Sequence, residues 1–215
     1  MMVNTQQLIA TLSEDVPRVA PHAFAQRIGM GVVAGGLVTT VLVAAVLGVR
    51  PDLRLAMHGF SIWMKWAYTV SLGVGAGYAV AQLARPTTDS LRGLWMLGVP
   101  VLILLGIGIG ELVRTPPTQW LGMWLGRSWM ICPWLVLTLA APIFIGLLWS
   151  FRKLAPTRMR AAGASAGMVS GAWAAAIYSL HCPETSALFV LTWYSLGIIA
   201  AAGAGALLGP RLMRW

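Results

Sequence analysis

Six apolar segments occupy this chain almost without a break from residue 28 to residue 208, and that arrangement constrains everything else about it. They run over 28–49, 60–83, 93–111, 129–149, 161–180 and 187–208. Each approaches the ~20 residues that an α-helix needs to cross ~30 Å of hydrocarbon. A large buried core is the alternative, but 58% hydrophobic and 10% charged residues lie outside the composition of ordinary soluble domains. The expected fold is therefore an all-α integral membrane protein. Residues 28–215 form a six-transmembrane-helix bundle with short loops, and residues 1–27 form a cytoplasmic N-terminal segment with a short amphipathic helix. The first apolar stretch starts too late and runs too long to be a secretory signal. No catalytic or binding domain of globular size is expected in 215 residues so arranged.

The net charge of +9 invites a nucleic-acid reading, but the positions of the charges explain it better. With a cytoplasmic N-terminus, the inner segments hold ten basic residues: Arg18, Arg27, Arg85, Arg92, Arg152, Lys153, Arg158, Arg160, Arg211 and Arg214. The outer loops hold four, Arg50, Arg54, Arg114 and Arg127. Cytoplasmic loops are enriched in Lys and Arg, so both termini are expected inside.

Tryptophan placement agrees. Trp63, Trp66, Trp120, Trp124, Trp129, Trp134 and Trp193 gather at the outer ends of the spans, and Trp95, Trp149 and Trp215 at the inner ends. Trp120–Leu121 and Trp124–Leu125 recur four residues apart, which suits a short surface helix or an ordered loop. Between spans, lipid supplies no hydrophobic drive, so close packing relies on small residues. Glycines at four-residue spacing answer that need: Gly31 and Gly35, Gly73 and Gly77, Gly106 and Gly110, Gly163, Gly167 and Gly171, Gly205 and Gly209.

Ionisable groups buried in a membrane mark transport pathways, and the candidates are few. Lys65 is expected to snorkel outward beside Trp63 and Trp66, and Glu111 to sit at the outer end of the third span. His22, His58 and His181 fall on different sides, so an assembled hydrolytic site is not expected and the chain is read as no enzyme.

Two places carry chemistry. Cys132 and Cys182 lie at the outer ends of the fourth and fifth spans, each followed by proline, so both thiols are expected near a helix end and close to water. In an oxidising periplasm they can form a disulfide. As soft ligands they can also take a heavy-metal ion transiently, with His181 and Glu184 as accessory donors. The bland alternative is that both cysteines simply pack as small apolar residues. The second place is the tail. Asn4 can cap a helix with Gln7 at the third position, Leu8, Ile9, Leu12 and Val16 share one face, and Pro17 ends the pattern. Such a helix is marginal alone in water. Glu14 and Asp15, with no basic residue before Arg18, suit an anionic membrane poorly, so a cytoplasmic protein groove is the better partner.

The order Leu8-Ile9-Ala10-x-Leu12 followed by Asp15-Val16-Pro17 begins a series of more specific matches. Leu47-Gly48-Val49-Arg50-Pro51-Asp52-Leu53, the lone cysteine of Ser128-Trp129-Met130-Ile131-Cys132, the run from Leu180-His181-Cys182-Pro183-Glu184 to Gly197, and a terminal Leu212-Met213-Arg214-Trp215 complete it. Across nearly its whole length the chain resembles the bacterial negative-regulator-of-sigma-F family. The resemblance implies a six-span inner-membrane anti-sigma factor. Its N-terminal segment would hold an extracytoplasmic-function sigma factor through Leu8, Ile9, Leu12, Asp15 and Val16. Its outward thiols, Cys132 and Cys182, would sense metals or oxidants, with no obligatory cofactor. A small transporter or metal permease and a membrane thiol oxidoreductase are the rival classes. Scarce mid-membrane polar groups count against the first, and the lack of a Cys-x-x-Cys pair against the second.

Overall fold

A computed structural model describes residues 23–83, 95–151 and 158–212. The expected sigma-docking residues Leu8, Ile9, Leu12, Asp15 and Val16 lie outside the described residues. Six long helices carry the fold: α1 (Ala23–Leu42), α2 (Phe60–Leu83), α3 (Trp95–Arg114), α4 (Cys132–Phe151), α5 (Met159–Tyr178) and α6 (Ser195–Leu212). No strand occurs among the described residues. Among the described residues, four stretches are long and apolar enough to cross a membrane: Gln26–Leu47, Leu97–Arg114, Cys132–Ser150 and Ala187–Leu212. α2 and α5 have the length, 24 and 20 residues, with less apolar composition.

α5 is the centre of the bundle. It packs against α6, α2 and α4, while α1 lies on α4, and α3 stands at the edge against α2 and the turn Ala187–Phe189. Small residues explain the central place of α5. A side chain on Gly163 or Gly167 would strike the carbonyls of Gly205 or Ala201, so α5 and α6 meet backbone to backbone. Gly31 of α1 meets Gly146 of α4 in the same way, and Gly35 meets Pro142 and Ile143. Gly73 also fits closely, against the Trp173 ring at 3.0 Å, but three glycines do not follow the reading. Gly77, Gly106 and Gly110 face open space, and it is Gly108, between the last two, that fits against Leu188. Spacing alone does not reveal which side of a helix has a neighbour.

Polar side chains tie the helices where they touch. Thr39 donates to the Leu139 carbonyl at 3.0 Å, Ser150 to the Arg27 carbonyl at 2.8 Å, and Tyr68 and Ser195 share a 2.6 Å bond. The expected short helix appears at Trp120–Leu125, after a single 3₁₀ turn at Pro117–Gln119. Gly126 stops it at φ 58°, a backbone conformation that glycine adopts without steric cost.

Two π-helical turns interrupt the regular helices among the described residues. One, Val43–Leu47, ends α1, and the other, Val190–Tyr194, leads into α6. Such turns concentrate at functional sites because they re-aim side chains. Both abut the connection between α5 and α6.

Candidate functional site: a thiol cluster beneath the Cys182 connection

Eight residues, Ser179 to Ser186, link α5 to the turn Ala187–Phe189, and four separate parts of the chain hold this link. From the segment after α1, the Arg50 amide donates to the Leu180 carbonyl at 3.1 Å, and Gly48 offers its carbonyl to His181 Nδ1 at 2.8 Å. From α2, Lys65 Nζ donates to the Cys182 carbonyl at 3.0 Å, and the Trp66 indole to Ser179 Oγ at 2.6 Å. From the segment before α4, the Arg127 amide donates to Glu184 at 2.7 Å and Ser128 Oγ at 3.3 Å. From α3, Glu111 accepts from the Ala187 amide at 2.9 Å and from Ser186 at 3.0 Å.

Cys132 and Cys182 are both reduced and both 0% exposed. The expectation that they sit close to water is therefore corrected. Cys132 does open a helix, with Pro133 in the first turn where no hydrogen bond is lost, but the Cys182 connection folds over it. Cys182 still follows a helical turn, its amide donating to the Tyr178 carbonyl at 3.1 Å. That turn brings Tyr178 to the thiols: its hydroxyl lies beside both sulfurs. The π turn brings Tyr194, whose ring stands 5.8 Å from that of Tyr178. The Tyr194 hydroxyl is buried with the Cys182 thiol beside it.

Lys65 completes the cluster and overturns a second expectation. Rather than reaching outward, it is 1% exposed, held by the Cys182 carbonyl and 5.9 Å from the centre of the Tyr194 ring. Its position in the second turn of α2, facing α5, points it into the protein, and Trp63 takes the exposed face. Arg50 approaches the same carbonyl at 3.5 Å but is neutralised by Asp52 at 2.6 Å. The Arg50 guanidinium holds the Asp52 carboxyl below the usual carboxylate range, first through their hydrogen bond and then through charge.

His181 Nδ1 is bonded to Gly48, and Glu184 to Arg127 and Ser128. Among the described residues no group of three or more His, Cys, Asp and Glu could hold a metal ion. The structure thus brings together the two thiols, and with them Tyr178, Tyr194, Lys65 and Arg50, which sequence reasoning did not select. One signal was present: Tyr178 stands one helical turn before Cys182. The indoles of Trp124 and Trp129 lean against that of Trp193, at 5.6 and 5.2 Å between ring centres, and cover the same end of the bundle.

The sequence relatives agree with the resemblance noted in the motifs. The family model described as negative regulator of sigma F matches residues 12–215. A probable anti-sigma-F factor of Azospira oryzae is 37% identical over 213 residues, 99% of this chain and 100% of that protein. An anti-sigma-F factor of Caulobacter vibrioides is 36% identical over 215 residues, 99% of this chain and 100% of that protein. No solved structure matches. Matched from residue 12 to its last residue, the chain belongs to the negative regulator of sigma F family.

Proposed function

We propose that this protein is a membrane-bound anti-sigma factor that sequesters an extracytoplasmic-function sigma factor and releases it when Cys132 and Cys182 react with metal or oxidant. The family match over residues 12–215 and the two relatives over 99% of the chain carry the reading. All six long helices cross the inner membrane, α5 the most enclosed of them, and the charge asymmetry sets both termini in the cytoplasm. The sigma factor docks on Leu8, Ile9, Leu12, Asp15 and Val16.

The packing supports a path from the thiols to that tail. Cys132 opens α4, α4 meets α1 backbone to backbone at Gly146 and Gly31, and α1 begins where the docking segment ends. Without side chains to absorb a shift between them, α1 has to follow α4. Release then requires two packings that differ in affinity for the sigma factor, with reaction at the thiols favouring the weaker one.

Copurification of the sigma factor from membranes tests this reading. Wild-type protein should retain it until cadmium or an oxidant is added. Leu8→Asp with Leu12→Asp should lower binding by well over tenfold, since each buried leucine contributes ~1.5–3 kcal/mol. Cys132→Ser or Cys182→Ser should retain the sigma factor whether or not the stimulus is present. A double Ser protein that releases it like the wild type would reduce the cysteines to packing residues.

A further inference from the structure

α3 meets α2 at its inner end, where the Leu97 side chain lies against Gly75, and its outer end is tied to the Ala187 turn by Glu111. Between these points the two helices stand apart around a cavity of about 660 Å³. Resting on the reading that the six long helices cross the membrane, we propose that this crevice binds an anionic phospholipid of the outer leaflet. One acyl chain lies along Tyr68 and Ile103, and the phosphate sits between Arg54 and Arg114.

Shape is the first argument. On α2 the lining runs from Phe60 to Gly75, ~22 Å at ~1.5 Å per residue, which covers the ~15 Å from the outer interface to the middle of the hydrocarbon. Spread over that length the cavity is about 6 Å across, too narrow for a helix of a second chain, ~10 Å wide, and wide enough for one polymethylene chain.

Polarity is the second argument. Two hydroxyl-bearing residues line the wall, and both hydroxyls are engaged within the protein: Tyr68 with Ser195 at 2.6 Å, and Ser71 with the Tyr68 carbonyl at 2.9 Å. At the outer mouth the Trp63 indole donates to the Met57 carbonyl at 2.8 Å. A ligand fixed by polar contacts needs side-chain groups free to converge on it, and these lining groups are already bonded. The occupant is therefore apolar over its buried length, and any polar head belongs at the mouth.

Charge is the third argument. Arg54 lies in the short helix Leu53–Ala56, which packs on α2, and Arg114 ends α3. Pro100, Ile107 and Arg114 stand seven residues apart, so Arg114 continues the crevice face of α3 two turns above Ile107. Both arginines are exposed, and neither is in an ion pair among the described residues. One guanidinium on the α2 side and one on the α3 side suit a phosphate, which accepts paired hydrogen bonds from arginine. An apolar slot with cations at its mouth matches both ends of an anionic lipid.

Native mass spectrometry of the full-length protein, extracted from membranes in a mild detergent, tests the site. Wild-type protein should retain one phospholipid per chain. After delipidation it should bind dioleoyl phosphatidylglycerol about tenfold more tightly than dioleoyl phosphatidylcholine. Arg54→Gln with Arg114→Gln should remove that preference. Ser71→Phe, which puts a ring into the crevice, should weaken both lipids by about tenfold or more, while Gly106→Leu, on the outward side of α3, should leave binding unchanged. Equal affinity of the wild type for the two lipids, unchanged retention in Ser71→Phe, or a two-chain assembly that excludes lipid would overturn the proposal. If Ser71→Phe does not fold, one equivalent of phosphatidylglycerol brominated on its acyl chains decides. It should quench a larger fraction of wild-type fluorescence than of Trp63→Phe fluorescence, because Trp63 lines the crevice, and equal fractions would refute the site. Recovery of the chain from the soluble fraction overturns the membrane reading and this site with it, whereas recovery from membranes without a retained lipid overturns the site alone.

Discussion

α3 and α5 are both 20 residues long, and their composition inverts the rule that apolar side chains lie inside. α3 is rich in leucine, isoleucine and valine, yet only 11% of its Leu97–Arg114 stretch is buried. Its inward seam is narrow: Pro100, Leu104 and Gly108, one per turn. α5 is built from alanine, glycine and serine and is buried along most of its length. In lipid an apolar side chain gains little by leaving the surface, whereas a small one lets two backbones approach. The more apolar helix therefore faces outward, and the blander one makes the interior.

The largest effect should come from adding volume to each helix. Gly167→Leu drives a side chain into the Ala201 carbonyl, and overpacking against rigid backbone should cost ~3 kcal/mol or more. Gly106→Leu points into open space and should change stability by no more than ~0.5 kcal/mol. Thermal unfolding in detergent measures both, and equal losses would erase the distinction between the two helices.

A smaller effect sharpens how the edge helix is held. Glu111 is the polar tie between α3 and the turn Ala187–Phe189, accepting from Ala187 and Ser186 as a helix cap does. Glu111→Gln should cost ~1 kcal/mol and raise hydrogen exchange in α3 before it does so in α5. Faster exchange in α5 first would show that α3 is integral to the core.

The smallest effect concerns pH at the Cys182 connection. Because Arg50 lowers the Asp52 carboxyl, that pair stabilises the fold above the ordinary carboxylate range and is lost only as pH falls through the lowered value. Alkylation of Cys182 should therefore be no faster at pH 5 than at pH 7 once the intrinsic thiol reactivity is divided out. Acceleration should appear only in stronger acid, and Asp52→Asn should show the faster rate at every pH.

The helices were legible because each was long, apolar and bounded by charged or proline-containing connections, so the six expected segments match the six long helices closely. The same reading misjudged Lys65 because a lysine one turn and a half inside a span can run along either side of its helix. Only the neighbour on that side determines whether the ammonium meets water or the Cys182 carbonyl. It misjudged the exposure of the cysteines for a related reason: X-Pro restricts the backbone around a thiol but leaves open what lies above it. His181 Nδ1 and the Glu184 carboxylate each bond a backbone group from a segment more than fifty residues away, a relation that no local pattern carries.

From sequence alone came the apolar segments, the charge asymmetry, the family motifs and the pair of cysteines, because each is a local or additive property of the chain. Tertiary structure alone decided which glycines are contacts, which helix is central, and that two thiols, two phenols and one lysine share a buried site. Those are relations between distant segments, fixed by which faces pack together. No periodicity along one helix carries that information.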